Sequence, residues 1–227
     1  DIFAAKIAEN TSTINKNDDD DADLYGINAT YRLSDKWNTV LEGYFFSNIN
    51  SNMTSNKVDS TYVPGFRVVT NPIKGLNVST ELAWQMGTDA DYPVAGAGNN
   101  ARRDAMAAQV IASYLLPFEK TAKYNPVAVF AYTYASGDSN PADVPGVGLT
   151  KNTAWNPLYE GISGGKIYNA IFNFTNVHCY EYALTANPVD DITAKLTWTA
   201  LWLDKDIASG SWTIAAPDGA TPAESVK

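Results

Sequence analysis

The strongest constraint on this chain is a two-residue periodicity that recurs over nearly its whole length, with no helix-period segment of comparable strength beside it. From Leu24 to Leu33, Tyr25, Ile27, Ala29, Tyr31 and Leu33 fall on one face of an extended chain, while Gly26, Asn28, Thr30 and Arg32 fall on the other. Val78, Thr80, Leu82, Trp84 and Met86 oppose Ser79, Glu81, Ala83, Gln85 and Gly87 in the same way. Near the end, Ala194, Leu196, Trp198, Ala200 and Trp202 oppose Thr193, Lys195, Thr197 and Thr199, with Leu201 breaking the polar side. Successive side chains of a strand point to opposite faces, so each segment presents one face to an apolar medium and one to water.

The apolar medium is the next question. No stretch approaches ~18 uninterrupted apolar residues, which excludes a helical membrane span. A transmembrane β-strand escapes that test, because it needs only about ten residues of alternating polarity. Composition points the same way: 18% charged residues against 45% hydrophobic and 12% aromatic is low in charge and rich in rings for a water-soluble domain. A single cysteine, Cys179, rules out an intrachain disulfide scaffold and a thiolate metal cluster. The net charge of -9 argues against nucleic acid as a partner, since phosphates demand a basic face.

Connections alternate in length. Ser34 to Lys36, Asn71 to Leu76, Pro117 to Asn125 and Asn187 to Asp191 are short, whereas 11–21, 47–59, 88–103 and 136–165 are long and polar. Short turns on one rim and long loops on the other characterise outer-membrane barrels. The same parity makes 166–186 one long strand, with a bulge expected near Asn176 to His178, because a turn there would put a long loop and a tight turn on the same rim. The predicted fold is therefore all-β, an antiparallel transmembrane β-barrel with about nine strands present. Single-chain bacterial barrels close on even strand numbers, so we expect part of a larger barrel of roughly 14 to 18 strands. Residues 1–227 read as a single barrel domain, incomplete at one or both ends. No signal peptide opens it, and Asp1 is not an initiator Met.

Facing assignments nominate Lys6, Arg32, Glu42, Arg67, Glu81, Gln85, Gln109, Glu181 and Lys195 as lumen-lining residues along a solute path. Opposed inward charges would set the field felt by a passing solute; equally, they would pair into a static network that fills the interior. Aromatics near strand ends, Trp37, Tyr62, Tyr114, Tyr124, Tyr180 and Trp202, suit a headgroup girdle, with the core of a soluble β-sandwich as the alternative. The acidic run around Asp18 and Asp20 is a weak calcium candidate that lacks the spacing of a calcium loop, and it reads better as a solvated loop. Arg102 and Arg103 sit where a long loop becomes a strand, either to meet an anion at a pore mouth or to snorkel towards headgroups. The sole histidine, His178, has no nucleophile motif beside it. Ser136 and Ser163 would join it only by accident of folding, so no enzyme and no cofactor is expected.

From Tyr134 the chain reads Y-A-S-G-D-S-N-P and then N-T-A-W-N-P-L-Y-E-G, in which Trp155, Asn156, Pro157, Leu158 and Tyr159 form the core of the second phrase. Together with the Asn187-Pro188-Val189-Asp190 turn and the Trp202-Leu203-Asp204 strand ending, this resembles the alginate export family of bacterial outer-membrane barrels across residues 127–206. The resemblance implies an outer-membrane barrel at the upper end of the strand range above. In the alginate exporter itself, the lumen is lined by arginines that select an anionic polysaccharide. Here the lumen set is mixed in sign, a departure that leaves that substrate unassured. The expectation is an outer-membrane channel, or porin, surrounded by lipid, that passes a small polar or anionic solute such as a saccharide by diffusion. The rivals are a structural barrel that sheathes or anchors a partner protein, and a soluble all-β binding protein with Tyr25, Ile27, Tyr31, Trp84, Trp198 and Trp202 packed against a second sheet.

Overall fold

The computed structural model describes residues 1–8, 22–52, 57–89, 101–138, 151–158 and 174–206. They form one sheet of ten strands: β1 (Ile2–Ala8), β2 (Ala22–Arg32), β3 (Val40–Asn52), β4 (Lys57–Ile73), β5 (Leu76–Asp89), β6 (Ala101–Leu115), β7 (Val127–Ala135), β8 (Lys151–Asn152), β9 (Val177–Val189) and β10 (Ile192–Leu203). Nine of them run as an antiparallel meander in chain order, and the two-residue β8 joins β6 in parallel off that path. Among the described residues β1 pairs with β2 alone and β10 with β9 alone, so the sheet is not closed. No described helix is long and apolar enough to cross a membrane.

The turns on one rim follow from local chemistry. Between β2 and β3, the Asp35 carboxylate accepts the Thr39 backbone N–H at 2.8 Å and the Thr39 hydroxyl at 2.6 Å. Those two bonds hold its pKa below the usual carboxylate value. Between β4 and β5 the chain reverses at Lys74 and Gly75, where a φ of +82° suits a residue without Cβ. The connection from β6 to β7 holds a short 3₁₀ turn, Glu119–Tyr124, closed by Asn125 in the left-handed region.

Two boundaries differ from the sequence reading. Much of the polar 47–59 stretch is strand rather than loop, because β3 and β4 stay paired out to Asn52 and Lys57. At the other site, β9 starts at Val177, immediately after Asn176 with its φ of +53°. The left-handed residue thus precedes the strand instead of bulging within it, and most of the proposed 166–176 extension lies outside the described residues.

The two faces separate as the periodicity requires. Tyr25, Ile27, Tyr31, Phe45, Tyr62, Phe66, Leu82, Trp84, Met86, Tyr182, Leu196, Trp198 and Trp202 share one face and are all exposed. So large an exposed apolar surface is what lipid covers, and no second sheet packs on it among the described residues. The soluble-sandwich rival needed Tyr25, Ile27, Tyr31, Trp84, Trp198 and Trp202 buried; Tyr31 is 68% exposed and Trp198 58%. Rings on this face meet across strands, tilted in Phe130–Tyr182 and Tyr182–Trp198 and edge-to-face in Tyr180–Trp202.

Candidate functional site

Residues directly opposite in an antiparallel ladder share a face. Following the register sideways, Thr30 faces Glu42, Glu42 faces Arg67, Arg67 faces Glu81, Glu81 faces Gln109 and Gln109 faces Thr133. This polar row crosses six strands on the face opposite the exposed aromatics. Arg32, Gln85, Glu181 and Lys195 lie on the same face by register. Lys6 does not. It stands opposite Asp23 in unbroken register with Ile2 opposite Ile27 and Ala4 opposite Tyr25, which puts it on the face of Tyr25 and Ile27 because alternate residues of a strand share a face.

Within the row, charges are paired. Arg67 reaches Glu42 at 3.0 Å and Glu81 at 3.8 Å, and its Nε donates to the Ser79 hydroxyl at 3.2 Å. Glu81 also accepts the Tyr44 hydroxyl at 2.6 Å, while Gln109 donates to Thr133 at 2.9 Å. Lys195 stands 3.7 Å from Glu181. Thr30, Glu42, Arg67, Glu81 and Gln109 are exposed or only partly covered, which keeps any one pair weak, while Thr133 is buried at the end of the row.

Gln85 departs from this pattern. It is 1% exposed, and its side-chain amide clamps the backbone of Asn156: Gln85 Nε2 donates to the carbonyl at 2.5 Å, and the Asn156 N–H donates back to Gln85 Oε1 at 2.9 Å. It is thus the anchor of a folded-in segment, 151–158, rather than a wetted lining residue. Trp155 in that segment is 3% exposed and packs with Val63, Ala83, Ala105, Ala135, Phe174, Val177 and Cys179. The small residues Ala83, Ala107 and Ala135 stand opposite one another across β5 to β7 and belong to the packing around the indole. Further bonds fix the segment: Trp155 N–H to the Ser136 carbonyl at 2.8 Å, the Ser136 hydroxyl to the Thr153 carbonyl at 2.8 Å, and Thr153 N–H to Asp138 at 3.0 Å.

At the long-loop rim of the same face, Arg103 is 3% exposed and pairs with Asp89 at 2.9 Å and Asp59 at 3.7 Å. Asp89 also accepts from Asn152 at 2.6 Å, which ties the ion cluster to the folded-in segment. Of the two arginines, Arg103 is therefore a buried structural cation. Arg102 points outward and pairs with Asp104 at 3.5 Å. On the outward face His178 is half-buried between the Tyr132 hydroxyl, 2.8 Å from Nδ1, and Asp204, 3.4 Å from Nε2. The Asp18 and Asp20 candidate lies outside the described residues, as does Ser163.

Sequence reasoning missed Asp59, Asp89, Trp155 and Asn156 as members of this site. The acidic pair carried a signal, since both occupy inward positions beside Arg103 in register. Nothing in the local pattern distinguishes Trp155 from an exposed loop aromatic.

A family model described as alginate export matches residues 7–211, which extends the resemblance seen in 127–206 over most of the chain. No curated protein and no solved structure matches it.

Proposed function

The chain belongs to the alginate export family of outer-membrane transport barrels, and from that premise we propose that it conducts a small polar or anionic solute, a saccharide foremost, by diffusion down its gradient. The observation that carries this reading is the polar row from Thr30 to Thr133, held on one face while lipid-compatible side chains hold the other. Its amides, hydroxyls and paired charges replace part of a solute's hydration shell as it passes. Arg32, Arg67 and Lys195 set the attraction for anions, and Glu42, Glu81 and Glu181 oppose it. The 151–158 segment, seated on the same face, narrows the passage.

The described strands form part of a larger closed barrel in this reading. The outer edges of β1 and β10 present backbone N–H and C=O groups that hydrocarbon does not tolerate, so each edge takes a further strand.

Single-channel recording of the full-length protein in a planar bilayer, with reversal potentials under a salt gradient, tests the proposal. A stable conductance whose anion preference falls in Arg67→Gln supports it. Well-inserted protein that stays silent sinks the open-channel reading and makes a barrel filled by a partner protein the leading account.

A further inference from the structure

The outward face carries little charge, which makes its exceptions informative. Among the described residues of strands β3 to β8, the charged outward positions are Arg102, Asp104 and Lys151. Along β6 the outward side chains run Tyr114, Ala112, Val110, Ala108 and Met106 before Asp104 and Arg102 are reached. Tyr114 and Asp104 are ten positions apart, about 33 Å along the strand, which is about 25 Å of height once the strand tilts by ~40°. The apolar band of an outer-membrane barrel has that height. The three charges therefore stand at headgroup level on the long-loop rim, the outer rim in such barrels.

Their grouping comes from the chain path. β7 parts from β6 at Ala107, and β8 takes the vacated side, setting Lys151 beside Arg102 and Asn152 beside Arg103. Alternation sends Arg103 and Asn152 to the interior cluster and leaves Arg102 and Lys151 outside. Both outer cations turn to one carboxylate, Lys151 at 2.8 Å and Arg102 at 3.5 Å from Asp104. Two cations around one anion leave a net charge of +1, and the Arg102 side chain remains 73% exposed. In register, Ser60, Thr88, Arg102 and Lys151 form one polar row, its two hydroxyls 2.9 Å apart. Below this row, Tyr62, Trp84 and Met86 are all exposed.

We propose that Arg102 and Lys151 hold a phosphate of a phosphorylated glycolipid in the outer leaflet. A guanidinium fork and an ammonium turned to one point are a donor set that phosphate oxygens accept, and the phosphate neutralises the charge that Asp104 leaves over. Ser60 and Thr88 extend the row with hydroxyl oxygens that accept from a sugar, and acyl chains cover Tyr62, Trp84 and Met86. A free phosphate would meet the cations and leave that apolar field bare, so the lipid is the occupant. The inference concerns the lipid face of the barrel and is independent of the solute that the lumen conducts.

The test is native mass spectrometry of the full-length protein in detergent, with a chelator present so that no divalent cation bridges phosphate to Asp104. The protein is titrated with an acylated glucosamine disaccharide carrying two phosphates, and with the same lipid after dephosphorylation. The phosphorylated lipid should bind roughly tenfold more tightly. Arg102→Gln and Lys151→Gln should each weaken it about fivefold. Asp104→Asn should tighten it by a similar factor, because it removes the anion that competes for both cations; a purely structural ion triad predicts the opposite sign. Lys74→Gln, on the short-turn rim, should change nothing. If Lys151→Gln disturbs β8, Arg102→Gln decides alone, since that side chain is mostly exposed and the Lys151–Asp104 pair survives it. Equal binding of the dephosphorylated lipid, unaltered affinity in Arg102→Gln, weaker binding in Asp104→Asn, or displacement by equimolar inorganic phosphate overturns the proposal. Lipid binding needs no current, so a silent bilayer refutes the channel and leaves this site standing.

Discussion

Replacing Gln85 by alanine should release the 151–158 segment without unpairing the sheet. Gln85 lies in β5, whose backbone ladder to β4 and β6 does not depend on its side chain. What the substitution removes is the two-bond clamp on the Asn156 backbone. Each bond contributes about 1 kcal/mol net, and leaving a buried N–H and C=O unpaired adds a desolvation penalty of about 1–3 kcal/mol. A loss near 3 kcal/mol corresponds to roughly a hundredfold rise in the opening equilibrium of the segment. Amide hydrogen exchange of the folded protein in detergent reads this directly, at the Trp155 and Asn156 amides against amides in the middle of β5 and β6. Protection should fall by about two orders of magnitude at Trp155 and Asn156 while the strand amides keep theirs. Gln85→Glu should resemble alanine, because it keeps the acceptor for the Asn156 N–H but sets a carboxylate against the Asn156 carbonyl. Unchanged protection at Asn156 in Gln85→Ala would show that the segment is held by the Trp155 pocket alone and that the clamp is incidental.

Removing the buried cation by Arg103→Met strands Asp89 and Asp59 beside one another and should cost about 3–5 kcal/mol, read as a lowered urea midpoint for the detergent-folded protein. Trp155→Ala empties the pocket between β4 and β9 and should cost about 3–5 kcal/mol locally, seen as loss of the blue-shifted edge of tryptophan emission. Asp204 gives a pH dependence. Its burial, which raises the pKa, is outweighed by the Gly137 N–H at 2.9 Å and by Lys205, His178 and the Tyr134 hydroxyl, so the folded value lies below the ordinary one. A depressed carboxylate stabilises the fold above its unfolded pKa and loses that contribution as pH falls through the folded value. Thermal stability should decline below about pH 4, and Asp204→Asn should be less stable at neutral pH with a flatter acid limb.

The two faces of the sheet were legible in the sequence because alternation needs only local information. Once Glu81 and Gln85 are assigned to the polar side, Arg67 and Gln109 follow from register, and so does the continuous row. Lys6 was misplaced because β1 is apolar on both parities, with Ile2 and Ala4 on one and Phe3, Ala5 and Ile7 on the other, so alternation alone does not assign its face. Gln85 was assigned to the correct face but to the wrong environment. Its burial is imposed by Asn156, 71 positions along the chain, and the pairing of an amide with a distant backbone leaves no periodic trace. Trp155 was hidden likewise, since the alanines that accommodate it look like ordinary inward-facing small residues until the 151–158 segment is placed above them.

The meander sets an order of assembly. Ladders from β2 to β6 join neighbours in sequence and can grow hairpin by hairpin, but β7 meets β9 only after residues 136–176 are looped out. Closing that loop costs on the order of 3 kcal/mol more than closing the two-residue turn between β9 and β10. The β9–β10 turn therefore closes more readily than the β7–β9 contact, on the loop-closure argument alone. The pocket for Trp155 borrows Val177 and Cys179 from that hairpin. Seating of the indole therefore waits on the docking of that hairpin, and its fluorescence reports that step.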